Sequence, residues 1–195
     1  MDAMWRAIIW QQFGAAIDML DNALVACPDE LWRSRLWRDG SQESEFSEFW
    51  YVGYHALFWL DLYLSGSEEG FAPPAPFSLE SLRGVDRPPQ LTIGSPGVEL
   101  DPAGLLAERP YTKDELRAYL EHGRKKCRAT IETLTEEKAR QRCAFSWGEV
   151  TFLELLLYNM RHVQEHAAQL SLALGQKSVS APDWVTKAKS NNSDE

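Results

Sequence analysis

Three of the four histidines in this 195-residue chain, His55, His162 and His166, stand among apolar residues where an imidazole needs a reason to be. His162 and His166 are four positions apart. On a helix that spacing places them one turn apart on one face. Leu155, Asn159, Val163, Gln169, Leu170 and Ala173 share that face and mark it as the inward one. An i, i+4 histidine pair can offer two nitrogens to one divalent ion, and zinc, nickel or iron accepts imidazole readily. His55 is the candidate third ligand, since it interrupts an apolar segment in which an unpartnered imidazole is costly to bury. His122 is different, because it projects about 120° from the centre of its own helix's apolar stripe. The same three positions would also suit a buried hydrogen-bonded network, and residue types alone leave both readings open.

Polar residues near these positions are candidates to orient an imidazole through its second nitrogen. Asn159 and Gln169 share the inward face; Asp18, Asp21 and Asp61 are less firmly placed. Glu165 lies between the histidines in sequence, but its helical angle turns it towards solvent, so no general acid or base can be named.

These side chains must be carried by helices. From Met4 to about Cys27, Trp5, Ile9, Phe13, Ile17, Leu20 and Leu24 recur three or four apart, and Pro28 closes the segment. A second helix over residues 44–64 is apolar nearly all round, so it is expected to be buried on most sides. The chain from Ser65 to Pro110 then holds eight of the ten prolines, which predicts a long irregular insertion with a helical turn near Leu79 to Arg83. Its scattered Phe71, Phe77, Leu91 and Ile93 suggest packing on the bundle rather than a free linker. Thr112 with Glu115 and Thr151 with Glu154 are capping boxes that open a third and a fourth long helix. Leu116, Tyr119, Leu120, Gly123, Cys127, Ile131 and Leu134 form the inward stripe of the third, and Gly175 is read as the end of the fourth. The predicted fold is all-α: a four-helix bundle forming one domain over residues 1–186, with 65–110 inserted between helices two and three. Trp184 is the expected anchor beyond Pro182, and residues 187–195 are read as a polar, frayed tail.

A net charge of −9 and an isoelectric point near 5.0 argue against a nucleic-acid partner, which needs a clustered basic face. The one basic run, Arg124, Lys125, Lys126 and Arg128, lies beside Glu121 and Glu132 and reads as a solvated helix face. Cys27, Cys127 and Cys143 form no CxxC pair and leave one unpaired in any disulfide scheme, which suits a reducing compartment. Neither a signal-peptide pattern nor a long uninterrupted apolar stretch is seen, so a soluble, cytoplasmic protein is expected.

The segment FWYVGYHALFWLDLY, residues 49–63, and YNMRHVQEHAAQL, residues 158–170, together resemble the DinB-like (DinB/YfiT-like) metalloprotein superfamily. YTKDELRAYLEHGR from Tyr111 is similar to that family's third helix, so the likeness spans most of residues 4–175. The resemblance implies a DinB/YfiT-like four-helix bundle with one histidine from the second helix and an HxxxH pair from the last, here His55, His162 and His166. It further implies a divalent ion, zinc or nickel, with open positions, and often a homodimer. Some relatives are transferases or isomerases using low-molecular-weight thiols such as bacillithiol, mycothiol or glutathione. Where many members carry a further histidine and a glycine, this chain has Ala167 and Ala168. The expectation is therefore a metal-dependent enzyme acting on a small-molecule substrate through a metal-activated thiol or water. The alternative is a non-catalytic, stress-related binding or dimerisation module, with the aromatic excess of helix two serving as interface.

Overall fold

A computed structural model describes residues 2–37, 44–77, 82–83, 106–107, 109–145, 147–177 and 180–189. Four long helices build it: α1 (Ala3–Ala26), α2 (Phe49–Ser65), α3 (Lys113–Glu132) and, after the short α4 (Glu136–Arg140), α5 (Phe152–Gln176). Asp2 caps α1 by accepting from the Trp5 amide at 3.0 Å, and both predicted capping boxes are formed at Thr112 and Thr151. Each cap satisfies amides that a helix start otherwise leaves bare.

Two helix boundaries differ from the sequence reading. Residues 44–47 form a 3-10 turn and α2 begins only at Phe49, because Glu48 is held extended. The Glu48 carboxylate accepts from Trp50 Nε1 at 2.7 Å and Arg33 Nε at 3.1 Å, while its backbone bridges to Arg35. At the other end of the chain Gly175 stays inside α5, and the Lys177 amide closes the helix on Ala173 and Leu174 carbonyls. The left-handed glycine stop occurs instead on α2, at Gly66 with φ 76°.

Helix α1 packs against α3 and α5, and α2 packs against the same two, so α1 and α2 are diagonal across the bundle. Contacting residues set the directions. Gly53 lies against Leu116 and Leu60 against Gly123, so α2 and α3 run parallel. Arg117 meets Asp21 and Arg124 meets Asp18, so α1 and α3 are antiparallel; His55 meets His162 while Leu60 meets Asn159, so α2 and α5 are antiparallel too. A parallel α2–α3 pair obliges the chain to travel back along the whole bundle between them. The long connection between α2 and α3 meets that requirement.

Most of residues 65–110 lie outside the described residues. The start of the insertion packs inward, with Phe77 stacked on Tyr119 at 4.3 Å. Of the predicted helical turn, only Leu82 and Arg83 are described, and they are extended: β1 (Leu82–Arg83) pairs antiparallel with β2 (Leu106–Ala107). A second hairpin, β3 (Arg142–Phe145) with β4 (Gly148–Thr151), leads directly into α5. The sequence reading contained no strand, because pairs this short carry no alternating pattern long enough to read.

The described part of the C-terminal segment, residues 180–189, lies against α1. Trp184 is 69% exposed, and it is its neighbour Val185 that packs against the core. The Ala188 amide donates to the Gln11 carbonyl at 2.9 Å and the Lys189 amide to Asp18 Oδ2 at 2.7 Å. Gly14 makes room for this strap, since a Cβ there would stand 2.5 Å from that of Ala188. Residues 190–195 lie outside the described residues.

Candidate metal centre

In α2 every residue is buried except His55 and Ser65, the last of the helix. His55 is therefore the one interior position of α2 that opens outward, and it does so into the seam with α5. From α5, His162 and His166 reach the same point. His162 Nε2 lies 3.0 Å from His55 Nε2 and 3.0 Å from His166 Nε2. The three candidate donor atoms fall within 4.8 Å of one another, and all three residues are half-buried.

Two ligands at about 2.05 Å from a zinc ion, across a tetrahedral angle, stand roughly 3.3 Å apart. The observed 3.0 Å separations are close to that figure and suit one ion. The electrostatics agree. Burial, and then the proximity of His55 and His166, holds His162 well below its ordinary value near 6.5, so its imidazole is neutral and its lone pair available. Three converging lone pairs repel unless a proton or a cation sits among them.

The tautomer of His166 is set by Gln169. His166 Nδ1 lies 2.8 Å from Gln169 Oε1, an acceptor, so the proton resides on Nδ1 and Nε2 faces the cluster. Gln169 thus has the orienting role its place on the inward face suggested. Asn159 is fully buried and donates from Nδ2 to the Leu60 carbonyl at 3.0 Å. The three aspartates lie elsewhere: Asp18 binds Arg124 at 2.6 Å, Asp21 binds Arg117, and Asp61 sits at the α2–α3 contact. There Asp61 accepts from Lys126 at 2.6 Å and Tyr119 at 3.1 Å, with His122 Nε2 3.4 Å away. His122 accordingly takes no part in the cluster. Glu165 is exposed and contacts Gln169 rather than a histidine.

The family model of the DinB superfamily matches residues 12–170, a span that includes all three histidines. The chain belongs to the DinB superfamily. No curated protein matches the sequence. This DinB protein surrounds its histidines with an aromatic wall that residue spacing alone did not reveal. His55 neighbours Trp59 at 6.3 Å, Trp59 stacks on Tyr63 at 5.0 Å, and Tyr63 meets both His162 at 6.3 Å and Tyr158 at 5.4 Å. Trp147, from the β3–β4 hairpin, stacks on Tyr158 at 4.8 Å. Only the tertiary fold brings a hairpin residue to this wall. Around a cation, such a wall lowers the local dielectric and strengthens the charge felt by anything bound.

The aromatic residues of α2 in this DinB protein are consumed inside one chain: Trp50, Tyr51, Tyr54, Phe58, Trp59 and Tyr63 are each at most 7% exposed. They leave no aromatic surface on α2 for an interface. Among the described residues no helix is long and apolar enough to cross a membrane.

Proposed function

We propose that this protein is a metal-dependent enzyme, with His55, His162 and His166 as the ligands of one divalent ion, zinc or nickel. The observation that carries this is the convergence of three Nε2 atoms in a half-open seam, with Gln169 orienting one ring from behind. When bound, an ion held by three neutral imidazoles keeps its full positive charge and open positions, and so acidifies a coordinated water or thiol. Thiol-dependent transferase chemistry with a low-molecular-weight thiol is the activity this fits best, and family membership supports it.

The protein's own contribution is to hold the rings and exclude competing water. His55 comes from a helix that is otherwise buried, so its ring is fixed by packing on both sides. Of the two α5 histidines, His162 is braced by Tyr63, which meets Tyr158 edge to face, and His166 by Gln169. A purely structural site would be expected to close its coordination shell with a fourth protein ligand. Among the described residues the cluster has three members, which favours chemistry over a structural or binding-module role.

Elemental analysis of purified protein beside a His162→Ala variant tests the reading. Near one equivalent of zinc or nickel in the parent and its loss in the variant is the expected result, after which thiol transfer to electrophilic substrates can be screened. No metal after reconstitution would overturn it. As macromolecular partner we propose a second copy of the chain, packed on the exposed apolar residues Trp5 and Ile8 of α1 and Leu157 of α5. Light scattering of the parent and of Leu157→Glu checks this, with a monomeric parent as the contrary outcome.

A further inference from the structure

Two buried polar atoms at the histidine cluster have no hydrogen-bond partner among the described residues: Nδ1 of His162 and Oδ1 of Asn159. They belong to residues three apart on α5, and both side chains point at α2. Asn159 reaches the Leu60 carbonyl, and His162 reaches His55. Side chains on a helix lean towards its N-terminus, which tips the His162 ring back over the turn that carries Asn159. The two atoms are chemically complementary. If Nε2 of His162 faces an ion, the ring proton must sit on Nδ1 and needs an acceptor, and an amide oxygen accepts. Burying either atom unpaired costs about 1–3 kcal/mol, a cost native proteins rarely carry twice in one place.

We propose that Asn159 is the positioning residue of His162, its Oδ1 linked to His162 Nδ1 through one buried water, as Gln169 is linked directly to His166. The metal half of this proposal rests on the reading of the cluster as a metal centre; the bridge itself does not. A water suits the place better than a direct bond because it can donate to Oδ1 while either accepting from or donating to Nδ1. The same arrangement therefore serves the ring in both tautomers, with and without an ion. Asn159 would then have two separable jobs: Nδ2 ties α5 to the α2 backbone, and Oδ1 orients a ligand.

A pair of variants separates those jobs. Asn159→Leu removes both hydrogen-bonding groups at similar volume, whereas Asn159→Asp keeps an acceptor and loses the donor to Leu60. Zinc affinity, read by competition with a chromophoric chelator, should fall about 10- to 100-fold in the Leu variant. In the Asp variant it should stay within a few-fold of the parent or tighten. In the zinc-loaded parent, nitrogen-detected NMR should show an exchange-protected His162 Nδ1 proton that Asn159→Leu loses. A high-resolution crystal structure of the metal-free parent should place a water within about 3.2 Å of both atoms. Parent-like zinc affinity in Asn159→Leu, equal losses in the Leu and Asp variants, or no shared water would overturn the proposal. A parent that takes up no zinc yet shows the shared water would refute the metal centre while leaving the bridge standing.

Discussion

At His162, burial and two neighbouring imidazoles act in the same direction, and both disfavour the protonated ring. The folded value lies below the unfolded value near 6.5, so below that pH the unfolded chain binds more protons than the folded one. Stability of the metal-free protein is therefore full above about pH 6.5 and declines as the pH falls towards the folded value. Urea titrations at pH 7.5 and 5.5 should show the decline, and His162→Gln should flatten it; an unchanged slope in that variant would assign the effect to other groups. The cysteines make the opposite case for inertness. Burial pushes the Cys27 thiol up to about 12 and raises those of Cys127 and Cys143. A chromogenic disulfide reagent at pH 7.5 should leave all three unlabelled in the folded protein and label them in denaturant. Any thiol chemistry at the centre would then come from a bound small molecule rather than from the chain.

Helix ends and the strap along α1 decide how firmly these residues are held. The Thr151 capping box sits where β4 becomes α5, about two turns before Tyr158 of the aromatic wall. Thr151→Ala should cost about 0.5–2 kcal/mol in chemical denaturation. The strap is a separate device on a different face. Its Lys189 amide completes the shell of Asp18, which is fully buried and shared with Arg124 of α3. Removing residues 178–195 leaves that carboxylate with one partner fewer, so a loss of about 1–3 kcal/mol is expected. Zinc affinity should be unchanged, because the strap lies on α1 and the histidines lie between α2 and α5. A truncated protein of parental stability would show the strap to be incidental.

Across the whole molecule, the cluster joins residues 107 positions apart in sequence, His55 and His162, from antiparallel helices that meet only in the folded state. An ion bound there binds the native state alone, and by mass action stabilises it by about 2.7 kcal/mol at a hundredfold excess over the dissociation constant. For a domain of this size that is a rise in Tm on the order of 5–10 °C. Differential scanning calorimetry with and without zinc should show it in the parent and not in His55→Ala. Equal shifts in both would place the ion elsewhere.

The bundle and its three histidines were legible because both depend on local regularities. A 3.6-residue period, two capping boxes and an i, i+4 pair can each be read within a few turns of one helix. His55 required one further step, the cost of burying a lone imidazole, and the likeness of two short segments to a known family supplied its partners. What the chain could not disclose depends on which helices become neighbours. The parallel α2–α3 pair, the placement of Asp61 with Lys126 rather than behind the histidines, and the arrival of Trp147 beside Tyr63 are set by packing across long sequence separations. The extended Glu48 follows from a buried carboxylate held by Trp50 and Arg33, and the docked strap from one whose partner lies far away in sequence, Asp18 with Lys189. Periodicity identifies the face that a residue presents; only the assembled core decides what meets it.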